Sequence, residues 1–274
     1  MTPELTQLAV MAAVLLGVGL FGGILAGLLG VGGGIIIVPV LYHLLDLLDI
    51  DSDVAMQLAV GTSLSTIIPT SIMSMRAHLR KDAVDVALLK SWGPAIAFGV
   101  VIGAVLIGLV EGEVLIAVFA VTAAVVALHM AFAPESLRLS DHLPGGIPRF
   151  GIGTLIGLIS TMMGIGGGTL TVPTLVLCSY PIRRAVGTAS AIGLIIAFPG
   201  TIGAIIGGWG NEELPPFSLG NVNLVAFAIL APATMLAAPW GAKLAHAIPT
   251  RALRAVFALF LGITSARMFI DLLT

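Results

Sequence analysis

The amino-acid sequence predicts an all-α integral membrane protein built from two inverted repeats of about five helical segments each. Three observations lead to this prediction: a scarcity of charged residues, a glycine-rich motif that occurs twice, and loops of opposite charge at equivalent positions. Of the 274 residues, 58% are hydrophobic and 9% are charged, whereas soluble domains carry about 25% charged residues. So few charges do not cover a water-facing surface, and the lipid bilayer is therefore the expected surrounding of most of the chain.

The composition also argues against several classes of function. The net charge of −2 offers no basic surface for nucleic acid, and the single cysteine, Cys178, excludes an internal disulfide framework. Neither the phosphate-binding pattern G-x-x-x-x-G-K-[ST] nor the nucleophile pattern G-x-S-x-G occurs. We therefore expect neither an enzyme nor an ATP-driven pump in this chain, and we expect no cofactor.

Ten apolar segments follow one another, bounded by charged residues or by glycine and proline. In the first half they cover residues 6–29, 33–48, 54–76, 83–110 and 114–133. In the second half they cover residues 147–163, 167–180, 184–208, 220–247 and 250–271. The second segment of each half is short, since about 12–15 helical residues reach only part of the way across a membrane core of about 30 Å. The first two segments of each half therefore form either a re-entrant hairpin with the glycines at its tip or two complete crossings.

A motif that occurs twice divides the chain into repeats. Residues 27–39 read GLLGVGGGIIIVP and residues 161–173 read TMMGIGGGTLTVP, with six of thirteen positions identical. The similarity continues in VGTS at 60–63 and VGTA at 186–189. We predict a first membrane repeat at residues 1–140 and a second at residues 141–274.

The charged loops indicate that the second repeat is inverted relative to the first. Basic residues favour cytoplasmic loops, and equivalent loops of the two halves carry opposite charge: the acidic loop at 46–53 corresponds to the basic pair at 183–184, and the basic loop at 76–81 corresponds to the acidic loop at 210–216. One alternating topology places the basic loops inside and the acidic loops and both termini outside. Inverted repeats of this kind are common in secondary transporters.

The triple glycine of each repeat opens a short helix, where we predict an anion-binding site. First-turn N–H groups lack partners within the helix and carry about half a unit of positive charge, and glycine lets a ligand approach the backbone closely. Irregular backbone inside a membrane is tolerated where it is buried in protein or lines a cavity. The alternative is that the glycines allow close helix packing. The predicted residues are Gly32, Gly33, Gly34, Gly166, Gly167 and Gly168.

Hydroxyl groups on the third segment of each repeat complete the predicted site. They belong to Thr62, Ser63 and Thr66 in the first repeat and to Thr188 in the second. These hydroxyls either donate to an oxyanion or bond back to the carbonyls of their own helix. Arg267 and His129 lie near segment ends, where we expect them to reach the interface. No carboxylate lies near the centre of a segment, so the sequence does not predict an acidic proton relay.

The paired motifs at 27–39 and 161–173, the VGTS and VGTA stretches and the two-half layout resemble the TauE/SafE sulfite exporter family, also called the toluenesulfonate uptake permease family. The resemblance covers essentially the whole chain, although Thr161 stands where the first motif has Gly27. It implies a multi-pass permease of a prokaryotic cell membrane that moves a small sulfur-containing anion, such as sulfite or an organosulfonate. A channel for a small anion or an uncharged solute remains the alternative.

Overall fold

The computed structural model describes residues 3–132, 138–245, 247 and 249–273, and in this part of the chain ten helices follow one another. The first half contains α1 (Pro3–Leu29), α2 (Gly34–Asp46), α3 (Ser52–Leu79), α4 (Val86–Ile107) and α5 (Gly112–Phe132). The second half contains α6 (Gly146–Met162), α7 (Gly168–Leu177), α8 (Ile182–Gly207), α9 (Leu224–Leu244) and α10 (Thr250–Asp271). The described residues form no strand, only an isolated bridge between Ser218 and Asn223. The all-α prediction is confirmed, with segment ends that agree to within a few residues.

Six of the described helices are long and apolar enough to cross a membrane: α1, α3, α4, α5, α8 and α9. The shorter helices α2, α6 and α7 have 13, 17 and 10 residues. Large apolar side chains cover much of the outer surface; Leu109, for example, is 75% exposed and Leu236 is 72% exposed. An apolar surface of this extent is typical of a protein that contacts lipid, and together with the six long apolar helices it confirms the prediction of a multi-pass membrane protein.

Polar residues at loop ends fix where several helices begin. The Asp85 side chain accepts a hydrogen bond from the Leu88 N–H at 3.0 Å before α4, and the Asn223 side chain accepts one from the Ala226 N–H at 2.9 Å before α9. Asp51 plays the same part before α3. Each cap satisfies one of the N–H groups that a helix start leaves unpaired. The caps thereby stabilise the first turns of α3, α4 and α9.

The helices pack in reciprocal pairs around α3 and α8. Helix α1 packs against α9 and α6 packs against α4, while α3 packs against α8 and α5 against α10. Helix α3 also contacts α9, and α8 contacts α4. If α1–α5 are matched in order with α6–α10, each of these pairings has a counterpart. The most buried of the six long helices is α3, in which 72% of the residues in an apolar stretch of 18 are buried inside the protein.

Glycines bring α1 and α6 close to their partners. A Cβ atom at Gly23 would lie 2.6 Å from the carbonyl oxygen of Thr234 on α9, and a Cβ atom at Gly157 would overlap the carbonyl oxygen of Ile96 on α4. Small residues four apart permit this backbone-to-backbone approach in membrane helices. Because these two contacts occupy equivalent places in the two halves, they repeat the reciprocal pattern at the level of single residues.

Candidate functional site

Two glycine loops meet between α3 and α8. The first glycine loop (residues 30–33) joins α1 to α2, and the second glycine loop (residues 164–167) joins α6 to α7. The Gly166 N–H donates a hydrogen bond to the Val31 carbonyl at 3.0 Å. Every residue of both loops is buried, as are Gly34 and Gly168. The six glycines predicted as a site are therefore brought together at one place.

The first residue of each short helix lies against the opposite loop. A Cβ atom at Gly34 would overlap the carbonyl oxygen of Gly164, and a Cβ atom at Gly168 would overlap the carbonyl group of Gly30. A Cβ atom at Gly166 would lie 2.6 Å from the Val31 carbonyl oxygen. Backbone therefore contacts backbone across the site, and the N-termini of α2 and α7 approach each other through these glycines.

The other predicted glycines face nearby helices. A Cβ atom at Gly32 would lie 2.9 Å from Cγ2 of Ile67 on α3, and one at Gly167 would lie 2.5 Å from Cγ2 of Ile192 on α8. At Gly33 the nearest atom would be the Gly22 carbonyl oxygen on α1, at 2.9 Å. All the predicted glycines thus have close neighbours in this conformation, as the packing alternative expects, and their role in binding remains a prediction.

The two loops differ in backbone conformation. In the first loop, Gly30, Gly32 and Gly33 have φ angles of +71°, +73° and +83°. In the second loop only Gly164 has a positive φ, of +64°, and Gly167 has an ordinary helical φ of −58°. Positive φ favours glycine because a Cβ atom would be strained there. The first loop therefore depends on glycine for its conformation at three positions, and the second at one.

Ser63 joins the site, whereas the two threonines of the VGT stretches bond elsewhere. The Ser63 hydroxyl donates to the Gly164 carbonyl at 2.7 Å, and the Thr66 hydroxyl donates to the Ser63 carbonyl in its own helix at 2.7 Å. The Thr62 hydroxyl accepts from the Asn223 N–H at 2.8 Å, and the Thr188 hydroxyl accepts from the Asp85 N–H at 2.9 Å. The VGT threonines thus hold the starts of α9 and α4.

Three further hydroxyls flank the second glycine loop, and the sequence interpretation did not single them out. They belong to Ser160, Thr169 and Thr171, which are 0%, 1% and 0% exposed, and their oxygens have no hydrogen-bond partner. A signal was present in the sequence: the second motif reads GGGTLTVP where the first reads GGGIIIVP. Comparing the two copies position by position would have identified Thr169 and Thr171.

An ionic cluster lies where the loop before α4 meets the loop before α8. The Tyr180 hydroxyl donates to Asp85 Oδ2 at 2.6 Å, and a guanidinium nitrogen of Arg184 lies 3.4 Å from the same oxygen. The phenol hydrogen bond is the main cause that lowers the pKa of Asp85. Burial, followed by the bond to Asp85, raises the pKa of Tyr180 to about 12. At the start of α9 the equivalent residue is the uncharged Asn223.

Charged side chains also pair at the end of α10. Arg267 Nε lies 3.4 Å from Asp271 Oδ1, and the Arg267 side chain is 59% exposed. His43, in the last turn of α2, lies 3.7 Å from the other Asp271 oxygen. Because the Arg267 side chain is largely exposed, this pair contributes little to stability.

Comparison with known proteins identifies a family of membrane transporters. A family model described as "Sulfite exporter TauE/SafE" matches residues 15–268. A probable membrane transporter protein of Haemophilus influenzae is 32% identical over 253 residues, which cover 92% of this chain and 96% of that protein. A probable membrane transporter protein of Methanocaldococcus jannaschii is 26% identical over 260 residues, which cover 92% of this chain and 93% of that protein. No solved structure matches the chain significantly.

Proposed function

The chain belongs to the sulfite exporter TauE/SafE family, and from this premise we propose that this membrane transporter is a secondary carrier for a small sulfur-containing anion. Sulfite and organosulfonates are the substrates that fit best. The observation that carries the proposal is the meeting of the two glycine loops, which brings the N-termini of α2 and α7 to one buried place. Two helix N-termini attract an anion through their free N–H groups and partial positive charge.

The surroundings of the loops favour recognition by dipoles over recognition by a fixed charge. The side chains that lie against the loops include Ser63, Ile67 and Ile192, all uncharged. In a low-dielectric interior, oriented N–H groups interact strongly with an anion, yet they leave no uncompensated charge when the anion departs. That property suits a carrier, which must release its substrate.

Reciprocal contacts support an arrangement of two repeats, residues 1–140 and 141–274, and the opposite charge of equivalent loops supports their inversion. Thr62 of α3 holds the start of α9, and Thr188 of α8 holds the start of α4. In each case a helix of one repeat is tied to a helix of the other. We propose that rocking of the repeats about the glycine loops exposes the anion to each side in turn, as in other inverted-repeat carriers.

The charge of the loops supports one orientation in the cell membrane of a prokaryote. The Asp85 cluster would then face the cytoplasm and Asn223 the outside, with both termini outside. Substituted-cysteine labelling at Arg80 and Glu212 tests this, since only the second should react with an impermeant reagent in intact cells.

The binding proposal is tested by thermal unfolding of the detergent-purified protein against sulfite, thiosulfate, sulfate, sulfoacetate, taurine, phosphate and chloride. A ligand present at about 100 times its dissociation constant adds about 2.7 kcal/mol of stability. We expect stabilisation by a sulfur oxyanion and its loss in Gly33→Leu and Gly167→Leu. Gly17→Leu is the matched control, because a Cβ atom at Gly17 would meet nothing within 4 Å.

Counterflow in proteoliposomes separates a carrier from a channel. Proteoliposomes that contain a carrier and are loaded with unlabelled anion transiently accumulate labelled anion against its gradient, whereas proteoliposomes that contain a pore do not. Absence of stabilisation by every anion would contradict the proposed substrate class, and flux without counterflow would favour the channel.

A further inference from the structure

Three buried hydroxyls without partners lie within four residues of a single loop along the chain. Ser160 lies near the end of α6 and Thr169 and Thr171 lie at the start of α7, so that all three flank the second glycine loop. Their oxygens make no hydrogen bond. Other buried side-chain oxygens without partners lie elsewhere, for example those of Ser74 in α3 and Asn221 between α8 and α9. The second glycine loop is thus the place where such groups gather.

Other helical hydroxyls of this protein show what is usual. The side chains of Thr66, Thr70, Thr161, Thr174 and Thr201 each donate to a carbonyl of their own helix at 2.7 Å. Thr174 lies in α7 itself, one turn beyond Thr171. A hydroxyl that is buried with no partner is costly in an apolar interior, and an exception of this kind in a native structure requires an explanation.

The first repeat shows that the hairpin does not need these hydroxyls for its packing. The matched positions there are Ala26, Ile35 and Ile37, all buried, at 1%, 0% and 0% exposure. Apolar side chains therefore fill the same places next to the first glycine loop. The hydroxyls of the second repeat thus serve something other than the shape of the hairpin.

We infer that the transported anion is held asymmetrically, with its oxygens bound by unpartnered hydroxyls beside the second glycine loop, which belong to Ser160, Thr169 and Thr171. Because Thr169 and Thr171 are two residues apart in α7 and point to different sides of the helix, one small anion bonds to one of these two, and the variants below identify which. This inference rests on the proposed function and deepens it. Hydroxyl donors and the N–H groups at the start of α7 together favour an anion with several acceptor oxygens, such as sulfite or a sulfonate, over a halide. The first glycine loop contributes backbone N–H groups and apolar contacts.

The test measures two quantities in each variant: the melting temperature without anion and the affinity for sulfite, with thiosulfate and methanesulfonate as further probes. Thr169→Val, Thr171→Val and Ser160→Ala remove the hydroxyls with little change of shape. We expect melting temperatures equal to or above that of the wild type, because an unsatisfied polar group is removed. We expect the affinity for the anion to fall about tenfold or more for each hydroxyl that binds it.

Thr174→Val is the matched control on the same helix, since its hydroxyl is already bonded within α7. Its affinity should remain within about twofold of the wild type. Thr169→Ser and Thr171→Ser keep a hydroxyl and should keep the affinity. They show whether the hydroxyl itself is needed even if a valine variant fails to fold.

The outcomes separate this inference from the proposed function. A wild-type protein that responds to a probe, together with Val and Ala variants that bind it equally well, would overturn the asymmetric site alone. A wild-type protein that responds to none of the three probes would overturn both. A raised melting temperature combined with lost affinity is the result that a purely structural role does not produce.

Discussion

The first hairpin (α1, first glycine loop and α2) and the second hairpin (α6, second glycine loop and α7) share a motif and meet at one place, but they differ in what each requires. The first uses three glycines at positive φ and carries Ile35 and Ile37 on its short helix. The second uses one such glycine in its loop and carries Thr169 and Thr171 on its short helix instead. The two copies of one motif have thus become specialised, the first in backbone conformation and the second in polarity.

The largest expected effect comes from breaking the contact that the two hairpins share. Gly34→Ala and Gly168→Ala each place a methyl group against the backbone of the opposite loop, which cannot move aside as a side chain can. Overpacking against such backbone is expected near the upper end of the usual range, about 3 kcal/mol, and at about 2–4 °C per kcal/mol the melting temperature should fall by about 6–12 °C. Differential scanning fluorimetry measures this, and Gly17→Ala should melt as the wild type does. Equal melting of all three variants would show that the loops do not meet as described.

A second prediction separates the two loops by the kind of neighbour that each glycine has. Gly167→Ala meets the side chain of Ile192 at an ordinary φ, whereas Gly33→Ala meets the Gly22 backbone at a φ of +83°. Ile192→Ala should therefore couple favourably with Gly167→Ala, by about 1–2 kcal/mol in a double-mutant cycle. The same cycle with Gly33→Ala should give about zero. Equal coupling energies in both cycles would contradict the conclusion that Gly167 faces the Ile192 side chain and Gly33 does not.

A third prediction concerns the serine that one repeat has and the other lacks. Ser63 donates to Gly164 at 2.7 Å, and the matched residue near Gly30 is Ala189. Ser63→Ala should cost about 1–2 kcal/mol, because a buried hydrogen bond is lost. Ala189→Ser should change stability by less than this, which thermal unfolding of both variants will show. A larger effect of Ala189→Ser would reverse the expected order.

The smallest expected effect concerns the ionic cluster of Asp85 and Tyr180 at the start of α4, where the matched residue at the start of α9 is the uncharged Asn223. Tyr180, with its pKa raised to about 12, stabilises the fold fully below the ordinary tyrosine pKa of 10 and loses that contribution as the pH rises through about 12. Asp85, with its pKa lowered from 3.8, contributes above that value and loses its contribution as the pH falls through the lowered pKa. The cluster is therefore fully formed between about pH 4 and pH 10.

Ultraviolet titration checks this, because the chain has only two tyrosines, Tyr42 and Tyr180. In Tyr42→Phe, the remaining phenol should ionise near pH 12. Adding Asp85→Asn should lower that midpoint, since the neighbouring carboxylate no longer disfavours the phenolate. An ordinary midpoint near 10 before that second substitution would show that the phenol does not bond to Asp85.

Most of the fold followed from the sequence, because apolar segments longer than the membrane core leave few alternatives. The meeting of the glycine loops followed from the repeated motif. The role of Thr62 and Thr188 did not, since their partners Asn223 and Asp85 lie 161 and 103 residues away along the chain. Nor did the difference in backbone between Gly33 and Gly167, because the same residue type permits either conformation.

The contact of Gly30 with Val186 on α8 has a consequence for biosynthesis. The ribosome makes Val186 more than 150 residues after Gly30, which at about 5–20 residues per second is a delay of roughly 8–30 s. During that time the first hairpin lacks its partner helix, and isoleucine side chains such as Ile35 and Ile37 are favourable in contact with lipid. The second hairpin, with its hydroxyls, is made when α3 is already in the membrane. The hairpin that is made first, before its partner helix exists, is therefore the one with apolar side chains on its short helix.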